Sequence, residues 1–294
     1  MRAAAVQLAT TLDPGENRRL VSDRLSAAAG GGAELVVFPE ATMAGFGDAS
    51  FDLSSVAEPL DGAFVSALAE GARRYGVTVV AGMFEQLGRD TGRGGGEGVG
   101  EGGAGVAGVA AVLGERGAGR VYNTTVVVGP AGLLGSYRKL HLFDALGARE
   151  SDRVAAGDPA TGVLTVALGE GLVLGIMTCY DLRFPEIARA LVDRGATVLA
   201  LPAHWYNGPG KSEVWETLVR ARAIESTAYV VAAGKPEPEA VGRSMVVDPL
   251  GQVLSELSGA EEGIACADVS AARVSAVRTM LPVLEHRRFG VVAR

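Results

Sequence analysis

The sequence predicts an α/β fold, a layered domain built on mixed sheets, from three observations. Short apolar, β-branched runs recur along most of the 294 residues. Amphipathic stretches at helical spacing separate many of them, and two pairs of runs are instead joined by tight turn sequences. Alternation of strands with helices gives parallel pairs, whereas hairpins give antiparallel ones, so both kinds belong in the same layered domain.

The elements follow in order. "AAAVQLA" (3–9) reads as a first strand, and in "ENRRLVSDRLSAAA" (16–29) the positions of Leu20, Val21, Arg24, Leu25 and Ala28 recur at helical spacing. "ELVVF" (34–38) is a buried strand, 62–76 a helix and "VTVVAGMFE" (77–85) a third strand. "VYNTTVVVGPAGLLGSYRKL" (121–140) is a hairpin turning at Gly-Pro-Ala-Gly. Strands at 162–168 and 172–179 precede a helix from about Arg183 to Arg194. "TVLALP" (197–202), a helix over about 211–227 and "YVVAAG" (229–234) come next, then a second hairpin (243–257) and a last strand, "GIACADV" (263–269).

Between residues 92 and 105, nine of fourteen residues are glycine. Gly100, Gly102 and Gly105 satisfy the spacing of a dinucleotide-binding loop, but no strand leads into them. A flexible surface insertion at about 91–105 within one domain spanning 1–294 is the expectation.

Composition narrows the function. A net charge of -7 offers no basic footprint, so nucleic acid is excluded as an expected partner. Two cysteines do not make a disulfide framework and fit a reducing compartment. No apolar run reaches membrane-spanning length and the amino terminus reads as a strand, so a cytoplasmic, membrane-free protein is expected.

Three reactive groups each follow an apolar run: Glu40 after "ELVVFP", Lys139 after "LLGSYR" and Cys179 after "LVLGIMT". Open α/β sheets build sites beyond the carboxyl ends of strands, so the three can converge. Taken singly, each has a plain structural reading, and a lone cysteine is most often core. Together they make chemical sense, because a thiol needs a base and a positive field to attack. An ammonium also stabilises the oxyanion of an attacked carbonyl. Pro185 and Glu186 open a helix whose amino terminus adds positive potential behind Cys179. A rival pairs Cys179 with His204, which also follows a strand, and His141 shares a face with Lys139 if that strand continues. Residue types and spacing leave Glu–Lys–Cys and Cys–His both open. Cys266, inside a β run, is expected to be core.

"FPE" (38–40), "YRKLHLFD" (137–144) and "CYDLRFPE" (179–186) stand in the order of three motifs of the nitrilase, or carbon–nitrogen hydrolase, superfamily. The resemblance runs from "AAAVQLA" to "LPVLEHRR" (281–288). It implies an α-β-β-α sandwich with mixed sheets and a triad of Glu40, Lys139 and Cys179. It also implies that Glu150 positions Lys139 or the substrate, and that the Tyr180 N–H joins Lys139 in an oxyanion hole. His204 then becomes pocket wall, with Phe46 and Trp205 as further candidate substrate contacts; Trp205 reads equally well as core or interface packing. Asp181 and Arg183 are expected to form a structural ion pair beneath the cysteine turn, with Arg183 as a clamp on a substrate carboxylate the lesser alternative. The resemblance implies a homodimer or higher homo-oligomer, no metal and no organic cofactor.

Tyr180-Asp181 after the cysteine resembles the amidase side of the superfamily, where nitrilases typically carry Trp-Glu. The leading expectation is therefore hydrolysis of a small carboxamide through a cysteine thioester, releasing ammonia and an acid. N-carbamoyl (ureido) hydrolysis, nitrile hydrolysis and acyl transfer to an amine use the same residues. A non-catalytic binding protein would have no need of an intact trio.

Overall fold

The computed structural model describes residues 1–87 and 119–292, so the glycine-rich insertion at about 91–105 lies outside the described residues. Among the described residues, thirteen strands form two mixed sheets. The first holds β1 (Arg2–Gln7), β2 (Leu35–Val37), β3 (Thr78–Gln86), β4 (Val121–Gly129), β5 (Gly132–Arg138) and β13 (Gly263–Asp268), in the order β13-β1-β2-β3-β4-β5. A short β6 (Val154–Ala155) pairs alongside β4. The second holds β7 (Thr165–Gly169), β8 (Leu172–Ile176), β9 (Val198–Pro202), β10 (Tyr229–Ala233), β11 (Met245–Val247) and β12 (Val253–Glu256), in the order β12-β11-β10-β9-β8-β7.

Both sheets have a parallel centre, β1-β2-β3 in one and β8-β9-β10 in the other, with antiparallel strands toward the edges. Side chains alternate across each strand, which assigns successive residues to different interiors. Ala3, Ala5, Leu35, Val37, Val80 and Val127 lie in the cluster shared with the second sheet. Their neighbours Ala4, Val6, Val36, Val79, Val126 and Val128 pack with helices α1 (Pro14–Gly30) and α2 (Ala63–Tyr75). A slip of one residue would exchange these two sets, so the pattern fixes register.

The second sheet is covered by α3 (Pro185–Asp193) and α4 (Lys211–Ser226), completing helix–sheet–sheet–helix layering. Gly175 of β8 admits α3 closely: a Cβ there would stand 3.0 Å from a methyl carbon of Leu191. Helix ends follow local chemistry. Asp13 caps α1 by accepting from the Gly15 N–H at 2.7 Å, Pro14 opens it, and Gly76 closes α2 at φ 69°. Among the described residues, no helix is long and apolar enough to cross a membrane.

Two features depart from expectation. Helix α5 (Ala271–Met280), which buries only Val274 and Val277, falls where no element is expected. Cys266, expected in the core, is only half-buried: β13 is an edge strand, so its side chain has no further strand beside it.

Candidate active site

Parallel central strands send their carboxyl ends to one edge of each sheet, and the edge strand β5, two antiparallel steps from β3, runs the same way, so the candidate residues sit just beyond ends that point alike. Glu40 follows β2 by three residues, Lys139 follows β5 by one, Cys179 follows β8 by three and His204 follows β9 by two. The structure brings all four together around one cavity of about 440 Å³, which Glu150, Phe46, Tyr180 and Trp205 also line. That volume suits a small molecule.

Glu40 is buried and fully engaged. Its Oε1 accepts from Lys139 Nζ at 2.9 Å and Asn123 Nδ2 at 2.8 Å, while Oε2 accepts from the His204 N–H at 2.9 Å. The loop carrying it is sharply bent, with Ala41 at φ 51°. Gly82 of β3 makes the bend possible, since a Cβ there would stand 2.5 Å from the Ala41 nitrogen.

Lys139 lies between two carboxylates, donating also to Glu150 Oε1 at 3.1 Å and Oε2 at 2.9 Å. Burial alone would lower the pKa of its ammonium, but the charges of Glu150 and Glu40 outweigh burial and hold it well above the usual lysine value. Glu150 is itself fixed by the Phe143 N–H at 2.7 Å.

Cys179 opens a turn of 3-10 helix, Cys179–Arg183, at φ 47°, a left-handed conformation costly for any residue but glycine. That bend projects the thiol into the cavity, as the nucleophile elbow does on other α/β sheets. Burial pushes the thiol pKa well above its ordinary value; the Glu40 charge adds to this, and Lys139 opposes it. The thiol is thus protonated at neutral pH, beside a carboxylate able to take its proton. As an early residue of the turn, Tyr180 has an N–H that finds no partner within it.

His204 is wall, packed near Phe46 and Tyr206 at ring distances of 5.7 and 4.7 Å. Burial, then the charges of Lys235 and Lys139, lower its pKa well below the usual histidine value, so the ring is neutral. Trp205 combines both of its readings: it lines the cavity, and it packs against Trp215 at 5.7 Å. Phe46 meets Phe84 edge-on at 5.2 Å.

Two expectations need correction. Asp181 and Arg183 do not pair, because residues two apart on this tight turn leave on different sides. Asp181 points inward, accepting from Tyr137 Oη at 2.8 Å, the Thr178 N–H at 2.8 Å and His141 Nδ1 at 2.6 Å. Arg183 points to the cavity, over the Trp205 ring at 4.9 Å. His141 does not share a strand face with Lys139, since β5 ends at Arg138; it stacks on Phe184 at 3.8 Å instead.

Sequence reasoning missed Asn123, whose Nδ2 bridges Glu40 and Glu150, at 2.8 and 3.1 Å. A signal existed: Asn123 is a polar residue inside the predicted hairpin, opposite the lysine, and its carbonyl accepts from the Lys139 N–H at 2.9 Å. Lys211 and Tyr206 also line the cavity unforeseen; burial and then the Glu40 charge push the Tyr206 phenol up to about 12.

Comparison with known proteins identifies the family. The model of the carbon-nitrogen hydrolase family matches residues 2–95 and 103–279. The chain is 36% identical over 304 residues to a hydrolase of Mycobacterium tuberculosis, covering 98% of this chain and 95% of that protein. It is 35% identical over 290 residues to deaminated glutathione amidase of Escherichia coli O157:H7, covering 98% of each. In structure it is similar to a CN-hydrolase superfamily protein from Xanthomonas campestris, with a TM-score of 0.78 and 27% identity, covering 100% of this chain and 99% of that one.

Proposed function

This chain belongs to the carbon–nitrogen hydrolase family and is an amidase-type hydrolase, and from that premise we propose that it opens a small carboxamide through a thioester on Cys179. One observation carries the reading. A buried Glu40, held by Lys139, Asn123 and the His204 N–H, sits beside a protonated thiol at the base of the cavity.

The steps follow from these positions. Glu40 takes the proton from Sγ as the sulfur bonds to the amide carbon, and the carbonyl electron pair moves to oxygen. The resulting oxyanion is received by the Lys139 ammonium and the Tyr180 N–H, donors fixed before the charge develops. Collapse reforms the carbonyl and breaks the C–N bond. Glu40 gives its proton to the departing nitrogen, leaving ammonia and a thioester. Water then enters, loses a proton to Glu40 and attacks the thioester carbon. The acid leaves as sulfur regains the proton. Glu150 serves as a positioning residue, keeping Lys139 charged and aimed.

The test is ammonia release from a panel of amides, ureides and nitriles by wild type, C179A and E40Q, with intact-mass analysis of quenched reactions. The expected result is release from amides, an acyl adduct on wild type alone and a loss of about 10³-fold or more in each variant. Full turnover by C179A on any of these substrates would refute the thioester route.

A further inference from the structure

Parallel strands in register set the residues that follow them in a row along one edge of the sheet. Ala233, the last residue of β10, pairs with Pro202, the last residue of β9. Lys235, two residues beyond β10, therefore stands level with His204, two residues beyond β9, and Cys179 follows the adjoining strand β8. Lys235 belongs to the row that builds the active site, yet it does not line the cavity and takes no part in the steps above. It is buried and tied to the loop of the base: its Nζ donates to Thr10 Oγ1 at 2.5 Å, and that hydroxyl donates at 3.5 Å to the carbonyl of Ala41, the residue after Glu40. Among the described residues, no carboxylate bonds to Lys235.

A buried ammonium without a bonded counter-charge is destabilising. A buried cluster with charge in excess is destabilising too, and the site holds one: Glu40 and Glu150 against the single cation Lys139. The two imbalances are opposite in sign and sum to zero. The titratable groups that share a field with Lys235 are Glu239 on its own loop, Glu40 after β2 and His204 after β9. His204 is neutral, and the Glu239 side chain is 58% exposed, so water screens its charge. Glu40 remains as the buried charge facing Lys235. Burial pulls the Lys235 ammonium down to about 8, with Glu239 and Glu40 only partly offsetting it, so the residue is kept at a net loss of stability. Such losses gather where function needs the group.

We infer that Lys235 is a positioning residue for the catalytic base: its buried charge balances the carboxylate cluster and keeps Glu40 ionised to receive the thiol proton. This rests on the amidase reading and supplies the charge that its cluster leaves unbalanced.

The test follows ammonia release against pH in wild type, K235M and K235Q, using whichever of acetamide, propanamide, butanamide and pentanamide wild type turns over fastest. Both substitutions remove the charge and keep a side chain of similar length. A carboxylate base acts only when ionised, and removal of a nearby cation favours its protonated form. In both variants the acid limb of the kcat/KM profile should move up by about one pH unit, a loss of up to about tenfold below the limb. KM should change by less than about twofold, since Lys235 does not reach the cavity. The loss should shrink above about pH 8, where Lys235 gives up its own proton in wild type. A loss of equal size at every pH, the mark of a purely structural lysine, overturns the inference, as does a limb that stays in place in either variant. Should wild type release ammonia from none of the four amides, the amidase reading is at fault, and alkylation of Cys179 by iodoacetamide, followed by peptide mass, takes the place of turnover. There sulfur bonds to the methylene carbon, iodide leaves and Glu40 takes the thiol proton. An acid limb raised by about one unit in both variants supports the inference; profiles that coincide with wild type overturn it.

Discussion

Lys235 is 1% exposed, and its Nζ donates to Thr10 Oγ1 at 2.5 Å. Burial pulls its pKa down to about 8, with Glu239 and Glu40 partly offsetting the effect. Unfolded, a lysine titrates near 10.4, so between about pH 8 and 10.4 the unfolded chain binds the extra proton. Stability from this residue therefore rises with pH across that window, and the full cost of the buried charge is present below it. K235M should remove that cost. At pH 7 the variant is expected to be more stable by up to about 3 kcal/mol, the gain fading by pH 10. Urea unfolding of both proteins at pH 7 and 10 checks this; equal differences at the two pH values would count against it. Thr10 also donates to the Ala41 carbonyl at 3.5 Å, so a lost hydrogen bond close to Glu40 offsets part of the gain.

At the scale of elements, the close fit of β3 against the Glu40 loop invites a direct probe. In G82A the new methyl meets the Ala41 nitrogen and the Glu40 Cα, backbone atoms that cannot swing aside. The variant should lose about 1–3 kcal/mol of stability and about 100-fold in turnover, measured by denaturation and ammonia release. Turnover at the wild-type rate would show that this loop tolerates displacement. The same loop explains what the sequence disclosed. Glu40, Lys139 and Cys179 were legible because strands announce themselves by apolar runs, and reactive groups at their ends stand out. Asn123 did not stand out, since a polar residue inside a strand resembles any solvent-facing position. Helix α5 was illegible because its only buried residues, Val274 and Val277, make too thin a stripe. Arg183 was misassigned because adjacency in sequence says little about direction on a tight turn.

Across the whole molecule, the site exists only where the two sheets meet. Glu40, Lys139 and Asn123 come from the first sheet and its loops, whereas Cys179 and His204 come from the second. Beneath them, Thr125 of β4 and Thr178 share a hydrogen bond of 2.9 Å across the interface. Activity should therefore vanish with the packing between sheets. Both tryptophans, Trp205 and Trp215, lie in the cluster around the second sheet, so their fluorescence reports its unfolding. Urea curves followed by fluorescence and by ammonia release should coincide; activity lost well before fluorescence would place the weak point in the site's loops alone. Finally, Lys139 and its two carboxylates give the buried cluster one negative charge in excess, and the thiol beside them is neutral. When the thiol passes its proton to Glu40, that excess does not change, for the charge merely migrates from oxygen to sulfur. The surrounding protein therefore sees a conserved total throughout turnover. No counterion need cross the cavity mouth with each cycle, and ionic strength has its hold on substrate capture, outside, more than on the bond-breaking within.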